Sequence, residues 1–447
     1  MSEKQMLTGY QLEDQQLSES ILNVNYYTHW TQGNGKIELF VTLDNGGVKV
    51  FKEYFGVQES IYPNDILDST VILSNIKKFL RWYVDNKFTC DISLFGDGWV
   101  DTSLFKDVIS EIYSAFKGKL FIPKKLFITV PVEYFSMEEN VKYLSNIKHE
   151  FEEDLGIDII YQIFALGGVI DGIDEDTYRS MFIFTAEFTD AEIISVIYQQ
   201  DIDLWENNAN WWGTVPSAIF NKLKFKVETS NKWSYEDINR YQHIVGILTE
   251  KAIQSSSIEK AADKKAYLQK LFINTVSNDV SVTQLGFNNF TDGSDFVNYG
   301  LHDSLCIRCG DLAVPLSKGL AYKELLIGKF GCNDSTITEF ISECAERFIP
   351  KVYAKTSCMP HCEACPYVGV CTGFDPAVSF QTYLDPFIAV RKHCDLQKTY
   401  INFMIINLKD LGAFDHIEDL HLSPAENTYF KDLLDYVEVT TNEAQGL

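Results

Sequence analysis

The chain has 447 residues, of which 46% are hydrophobic and 14% are aromatic. This composition excludes an intrinsically disordered protein, and the length predicts two or three domains. The formal net charge of −25 disfavours sequence-independent binding to nucleic acid and contact with anionic membranes, because such a surface repels phosphate groups. We expect no cluster of lysine and arginine residues that would offset this charge locally.

The N-terminal residues and the hydropathy of the chain predict its compartment. No apolar run follows basic residues near the N-terminus, so no secretory signal is predicted. No apolar run approaches the length that crosses a bilayer. We therefore expect a soluble, cytoplasmic protein. In that reducing compartment clustered cysteines are expected to be metal ligands rather than disulfides.

Strands and helices alternate in the predicted secondary structure from Lys36 onward. Short apolar runs predict strands at 37–43, 90–96, 126–130, 157–164 and 181–185. Helical spacing of apolar residues predicts helices within 64–86, 102–116 and 137–155. The fold class is therefore α/β, with a parallel sheet and crossover helices.

These elements and the distribution of cysteines predict five parts of the chain. Residues 1–35 are a polar N-terminal extension, and 36–230 are an α/β domain. Residues 231–300 are a helical connection, and 301–400 are a metal-binding domain with nine of the ten cysteines. Residues 401–447 hold a C-terminal helix, expected at 406–411, and an acidic tail.

Four cysteines fall within fourteen residues, at Cys358, Cys362, Cys365 and Cys371, and Cys394 follows downstream. The spacing of Cys362, Cys365 and Cys371 lets one compact loop turn three sulfurs onto a single metal centre. Cys394 is well placed to supply the fourth ligand. Thiolates are soft ligands that suit both iron–sulfur clusters and zinc, so these residues leave the metal open.

This cysteine spacing and the order of elements resemble the radical S-adenosylmethionine (SAM) enzymes with a C-terminal SPASM domain. Cys362, Cys365, Cys371 and Cys394 match the four ligands of the second auxiliary cluster of that domain. The resemblance implies one 4Fe-4S cluster on these four residues, with zinc as the alternative. His361 borders the motif and could bind zinc, although a lone histidine is more often a surface residue.

The first auxiliary cluster of the SPASM pattern is only partly matched. Cys309 fits it, but Glu324 and Asp375 stand where the pattern has cysteines, and Cys306 could replace a ligand upstream. Carboxylates are poor ligands of iron–sulfur clusters, although zinc or harder ions accept them. These four residues could therefore form a second, altered metal site in addition to the one above. Alternatively, Cys306 and Cys309 are buried thiols that bind no metal.

The first half resembles the family in shape and lacks its catalytic residues. Asp44, Val48 and Phe51 occupy the positions of the three cysteines that hold the catalytic cluster in the family. The strand that ends near Gly96 lacks the rest of the family's cofactor-binding motif. The resemblance implies a degenerate partial (β/α) barrel in which S-adenosylmethionine is not expected to bind and radical chemistry is not expected.

A second interpretation places the catalytic loop elsewhere. Cys358, Cys362 and Cys365 have the spacing of the family's catalytic loop. A barrel would then have to follow them, but the remaining residues show no alternation of strands and helices. We therefore favour Cys358 as an accessory thiol.

Other candidate residues have both a functional and a structural interpretation. Asp44, Asp97 and Asp101 are expected at the carboxyl ends of the barrel strands. They could act in acid–base catalysis or bind a metal, although such residues more often serve in turns and caps. An aromatic segment could bind a peptide, with core packing as the favoured alternative. It comprises Tyr198, Trp205, Trp211 and Trp212. The cysteines predicted to be structural are Cys90, Cys332 and Cys344.

Many relatives in the family act on ribosomal peptides or on protein side chains. The resemblance thus implies a non-catalytic protein that binds a peptide or protein partner, pairing with an active maturase. One alternative is a structural or assembly protein stabilised by zinc. Another is an enzyme that uses its vacant barrel, or its auxiliary cluster as a peptide maturase, for other chemistry.

Overall fold

The structure is a computed structural model. The residues that it describes are 31–32, 36–42, 69–97, 103–164, 175–188, 190–197, 199–216, 219, 222–227, 233–255, 304–308, 312–314, 328–329, 365–367, 391–410 and 424–445.

Strands and helices alternate along most of the described chain. The strands are β1 (Lys36–Thr42), β2 (Asp91–Asp97), β3 (Lys125–Pro131), β4 (Asp158–Phe164), β5 (Glu192–Ile197), β6 (Leu223–Val227), β7 (Ser304–Arg308), β8 (Leu312–Val314) and β9 (Gly328–Lys329). The helices are α1 (Ser69–Asp85), α2 (Ser103–Phe116), α3 (Glu138–Glu150), α4 (Glu175–Glu187), α5 (Ile202–Thr214), α6 (Tyr235–Ser255), α7 (Arg391–Asp410) and α8 (Pro424–Gln445).

The chain forms two compact units. The sheet unit comprises residues 19–196 and 300–351. The helical unit comprises residues 1–18, 197–299 and 352–447. Each unit combines segments that are distant in the sequence, so neither unit corresponds to one continuous stretch of chain.

The sheet unit is built on a mainly parallel sheet. Its strands lie in the order β5-β4-β3-β2-β1-β7-β8-β9. The strands from β1 to β5 and β7 pair in parallel, whereas β8 and β9 pair antiparallel. Successive strands from β1 to β5 are separated in the chain by α1, α2, α3 and α4. The prediction of an α/β fold with a parallel sheet is confirmed.

Strand β1 lies inside this sheet, between β2 and β7. Its residues Ile37, Leu39 and Val41 are buried, as expected for alternate side chains that point into a core. Glu38 pairs with a residue of β2 on one side and with Cys306 of β7 on the other. The cysteine-rich part of the sequence therefore begins with a strand of the same sheet.

An aromatic cluster packs where α1 ends and β2 begins. The ring of Phe88 lies edge-on to Trp82 and Tyr83, with centroid distances of 5.0 and 5.7 Å. The hydroxyl of Tyr83 donates a hydrogen bond to the carbonyl oxygen of Cys90 at 2.5 Å. Cys90 is fully buried, and burial raises the pKa of its thiol. The prediction that Cys90 is a core residue is confirmed.

The strand predicted at 181–185 is wrong, because these residues belong to helix α4. Met181 and Phe184 are buried while Ile183 is 61% exposed, which fits helical spacing and not the alternation of a strand. The run of aromatic and β-branched residues suggested a strand, but its buried positions recur with the period of a helix. The fifth strand is β5, a short distance further along the chain.

The helices predicted within 64–86 and 102–116 agree with the structure within a few residues. Helix α1 lies within the predicted range 64–86, and α2 covers the predicted range 102–116 from Ser103 onward. The helix predicted at 406–411 is the end of the longer α7. Among the helices that the structure describes, none is long and apolar enough to span a membrane.

The helical unit is a stack of packed helices. Helix α6 packs on both α5 and α7, and α7 packs on α8. Gly246 of α6 faces the ring of Phe403 in α7, where an added Cβ would lie 3.5 Å from the ring. One turn earlier in both helices, the Gln242 amide donates to the Thr399 hydroxyl at 3.5 Å. Because the contacts advance together, α6 and α7 run in the same direction.

Replacing Phe88 tests the packing of the aromatic cluster. Phe88→Ala is expected to lower the free energy of unfolding of the sheet unit by about 3–5 kcal/mol, because it removes a buried ring. Urea denaturation followed by tryptophan fluorescence measures this loss. The control Leu120→Ala changes a side chain that is 92% exposed and should cost less than about 0.5 kcal/mol. Equal effects of the two substitutions would contradict the packing.

Candidate metal centre

The structure describes two of the four predicted ligands, Cys365 and Cys394. Both lie in the helical unit, and both side chains are half-buried. Cys306 lies in β7, where only its backbone is described. The other predicted ligands of the two sites lie outside the described residues; they are Cys362, Cys371, Cys309, Glu324 and Asp375.

Helix α7 carries Cys394 near its beginning. Lys398 and Asn402 follow at intervals of four residues. Residues four apart lie on the same side of a helix, about 6 Å apart along its axis. Cys394, Lys398 and Asn402 therefore form one stripe on α7, and we call it the cysteine stripe.

Tyr367 docks on the cysteine stripe from the segment that follows Cys365. Its hydroxyl donates a hydrogen bond to Oδ1 of Asn402 at 2.7 Å. The ammonium of Lys398 lies 6.0 Å from the centre of its ring, within the range of a cation–π contact. Tyr367 thus contacts the two members of the stripe that follow Cys394.

Helix α8 covers the same tyrosine. The rings of Tyr367 and Tyr436 meet edge to face, with their centres 5.7 Å apart. Tyr367 is 3% exposed, and burial is the main cause that raises the pKa of its phenol to about 12, followed by Tyr436. A smaller contribution comes from the thiol of Cys365. Tyr367 is therefore a neutral hydrogen-bond donor near neutral pH.

This docking fixes where the cysteine loop meets α7. Two residues of chain span about 7 Å at most, so Cys365 lies close to Tyr367. Cys394 lies one helical turn before Lys398, which touches the same ring. The two thiols therefore belong to one region of the helical unit, and their soft sulfur donors fit an iron–sulfur cluster or zinc.

The described residues do not complete a metal site. Among the residues with described side chains, no group of three or more His, Cys, Asp and Glu is placed to hold a metal ion. Cys365 and Cys394 are two of the four thiolate ligands that the sequence predicts. The full set of ligands therefore stays a prediction.

The carboxylates predicted at the barrel mouth are described in part. Asp97 is the last residue of β2 and pairs with Thr42, the last residue of β1. The two parallel strands therefore end at the same edge of the sheet, as expected for Asp97. Asp44 and Asp101 lie outside the described residues, so a carboxylate pair at this edge stays a prediction.

The aromatic segment belongs mainly to α5. Trp205 is fully buried, which confirms the core interpretation for this residue. Trp211 is half-buried in the same helix. The side chain of Trp212 and the whole of Tyr198 lie outside what the structure describes.

Sequence reasoning missed the residues that hold the cysteine loop. Tyr367 stands two residues after Cys365, and an aromatic residue inside a polar cysteine loop is a signal of docking. The spacing of Cys394, Lys398 and Asn402 by four residues also indicates a shared helical side. The contact of Tyr367 with Lys398 and Asn402 joins distant parts of the chain, so no local sequence pattern predicts it.

Solved structures resemble this chain, and two of them are similar over most of its length. A hexahistidine-tagged form of anSMEcpe with bound AdoMet has a TM-score of 0.54 and 13% identity, over 88% of this chain and 98% of its own. Native anSMEcpe with bound AdoMet has a TM-score of 0.52 and 13% identity, over 84% of this chain and 99% of its own. No protein-family model and no curated protein matches the sequence. At this identity the likeness shows the fold alone, which is radical-SAM-like.

Cross-linking tests the position of the cysteine loop without any metal. In the metal-free protein a short bis-maleimide is expected to join Cys365 to Cys394, because Tyr367 holds their segments together. Tyr367→Ala should lower the yield of the joined peptides several-fold, as measured by mass spectrometry. Tyr367→Phe keeps the buried ring and removes the hydroxyl with its hydrogen bond to Asn402, worth about 1 kcal/mol, so it should have a smaller effect.

Tyr235→Ala is the matched control, because that tyrosine is 65% exposed at the start of α6. It should leave the yield unchanged. Joining of Cys365 to Cys394 that is as efficient in Tyr367→Ala as in the native chain would contradict the docking.

Proposed function

We propose that this chain binds one metal centre through the thiolates of Cys362, Cys365, Cys371 and Cys394. The proposal is carried by the hydrogen bond from Tyr367 to Asn402. This contact holds the segment after Cys365 against the helix that carries Cys394. Four thiolates from one loop and one helix are a common ligand set for iron–sulfur clusters and for zinc.

The metal that we propose is a 4Fe-4S cluster. All four cysteines match the second auxiliary cluster of SPASM domains, and the fold of the described chain is radical-SAM-like. A cluster on these thiolates supplies a redox-active centre or a rigid cross-link between the loop and α7. Cys306, Cys309, Glu324 and Asp375 form a further candidate site, which two carboxylates make unsuitable for a second cluster.

The protein is proposed to be non-catalytic in radical chemistry. Asp44, Val48 and Phe51 stand where three thiolates would hold a catalytic cluster, and none of these side chains is a soft donor. Without that cluster no electron reaches a bound sulfonium. The likeness to structures with bound AdoMet concerns the fold, and S-adenosylmethionine is not proposed as a cofactor here.

The biological role that we propose is binding of a peptide or protein, in partnership with an active maturase in the cytoplasm. The support is the family resemblance of the cysteine region, because many relatives act on peptides. The cluster would then either stabilise the surface that binds the partner or exchange electrons with the partner.

A structural zinc protein is the second candidate. The observation that favours it is the packing of Tyr367 between α7 and α8, since a closed zinc site would strengthen that same junction. In that case the metal has no redox role and the protein serves assembly.

Metal analysis tests the centre. Protein purified without oxygen is expected to contain about four irons per chain, with a broad absorption band at roughly 400 nm. Cys365→Ala and Cys394→Ala should each abolish the band and most of the bound iron. Cys344→Ala, outside the motif, is the matched control and should retain both.

Each alternative outcome has a definite meaning. One zinc per chain without iron, lost in the same two variants, would support the structural candidate. Neither metal in the native chain, or full metal in both variants, would contradict the proposed site.

Incubation with S-adenosylmethionine tests the non-catalytic assignment. The reduced, metal-loaded chain is expected to release no 5′-deoxyadenosine, because the barrel has no catalytic cysteines. Chromatography of the reaction mixture measures this product. Product formation that disappears in Cys358→Ala would contradict the assignment and show that Cys358, Cys362 and Cys365 hold a catalytic cluster.

A further inference from the structure

An apolar loop tip projects from the sheet unit between α2 and β3. Residues 117–125 read Lys-Gly-Lys-Leu-Phe-Ile-Pro-Lys-Lys. Leu120 is 92% exposed and the adjacent Phe121 is 42% exposed. Two neighbouring large apolar side chains at the apex of one loop differ from the single exposed apolar residues that most surfaces carry.

The backbone holds this tip outward. Gly118 has a φ of +71° just after α2, a left-handed conformation that ends the helix and that glycine adopts without strain. The amide of Lys119 donates to the carbonyl of Phe116 at 3.0 Å. At the far end, Pro123 is buried ahead of β3. Both ends of the loop are thus anchored, and the apolar pair lies between them.

Lysines flank the apolar pair in the sequence, and one of them, Lys117, donates to the hydroxyl of Tyr113 at 3.3 Å. The loop and the start of β3 carry four exposed lysines, Lys117, Lys119, Lys124 and Lys125. From the preceding loop, the exposed Lys87 places its ammonium 5.8 Å from the centre of the Phe121 ring. Residues 117–125 contain no acidic side chain. The expectation that the sequence has no local lysine cluster is therefore wrong.

Acidic residues contact the segments at the two ends of the loop. Asp91 accepts a hydrogen bond from the backbone amide of Lys125 at 3.2 Å, and Asp154 accepts one from the Tyr113 hydroxyl at 2.6 Å. The amide of Asp158 donates to the carbonyl of Lys124 at 2.9 Å.

We propose that this tip contacts an anionic lipid surface, with Leu120 and Phe121 inserted among the headgroups and the lysines against lipid phosphates. Lipids at a membrane interface can rearrange around a protruding pair of apolar side chains. An acidic protein would have to present a matching pocket. The net charge of −25 belongs to the whole chain, and its distant acidic groups act weakly here, because charges are screened beyond about 8 Å at physiological ionic strength.

The lysines and the apolar pair contribute in different ways. Lysines near an anionic membrane add attraction that salt weakens, whereas inserted apolar side chains add affinity that salt does not screen. Both contributions are needed, because neither two apolar residues nor five surface lysines alone gives stable attachment. The proposal does not depend on the metal centre.

Vesicle sedimentation with the full-length protein tests the contact. The native chain is expected to sediment with vesicles of phosphatidylcholine and phosphatidylglycerol, and not with phosphatidylcholine alone. The double substitution L120S/F121S should weaken binding about tenfold or more. The double substitution K119E/K124E should weaken it by at least about tenfold and reduce its dependence on salt.

Matched controls alter the same chemistry elsewhere. Lys431→Glu changes an exposed lysine of α8, and Ile183→Ser changes an apolar side chain that is 61% exposed on α4. Both should bind vesicles like the native chain. Failure of the native chain to bind, or equal binding to both kinds of vesicle, would overturn the proposal. The first result would leave an acidic protein as the occupant of the tip.

Discussion

The hydrogen bond from Tyr367 to Asn402 fixes where the cysteine loop meets the helical unit. Tyr367 is buried against α7 and α8, so its position is set by packing as well as by the bond itself. Fixing residues 365–367 in this way lowers the entropy that binding of a metal by Cys365 must overcome. The docking thus places the chain segment of Cys365 beside the helix that carries Cys394.

In the sheet unit, the pairing of β1 with both β2 and β7 fixes the position of β7. β7 comes from the beginning of the cysteine-rich region, about 260 residues after β1 in the chain, yet it adds directly to the parallel sheet. Such long-range pairing closes a large loop, and the entropy of closure must be offset by contacts along the whole strand. Strand β7, which contains Cys306, is thus joined to the parallel sheet by backbone hydrogen bonds.

The sequence predicted the parts of the fold in which local pattern and tertiary contacts agree. Strands β1 to β4 were predicted because their buried residues recur with the right period, and the parallel sheet followed from their alternation with helices. The strand predicted at 181–185 was wrong because aromatic and β-branched residues also occur on the buried face of a helix. Within the candidate site, the spacing of the cysteines predicted the metal ligands. The docking of Tyr367 on α7 depends on a tertiary contact and could not follow from that spacing. The lysine-rich tip was missed because net charge averages over the whole surface.

The account rests centrally on Cys365 and Cys394 as ligands of one metal centre. X-ray absorption at the iron and zinc edges, on the full chain purified without oxygen, tests this most directly. The expected spectrum has a first shell of sulfur alone, with iron–iron scattering for a cluster, and Cys365→Ser or Cys394→Ser replaces part of that shell with lighter atoms or removes the metal. A native first shell of nitrogen and oxygen, or a sulfur shell unchanged in both variants, would contradict the account.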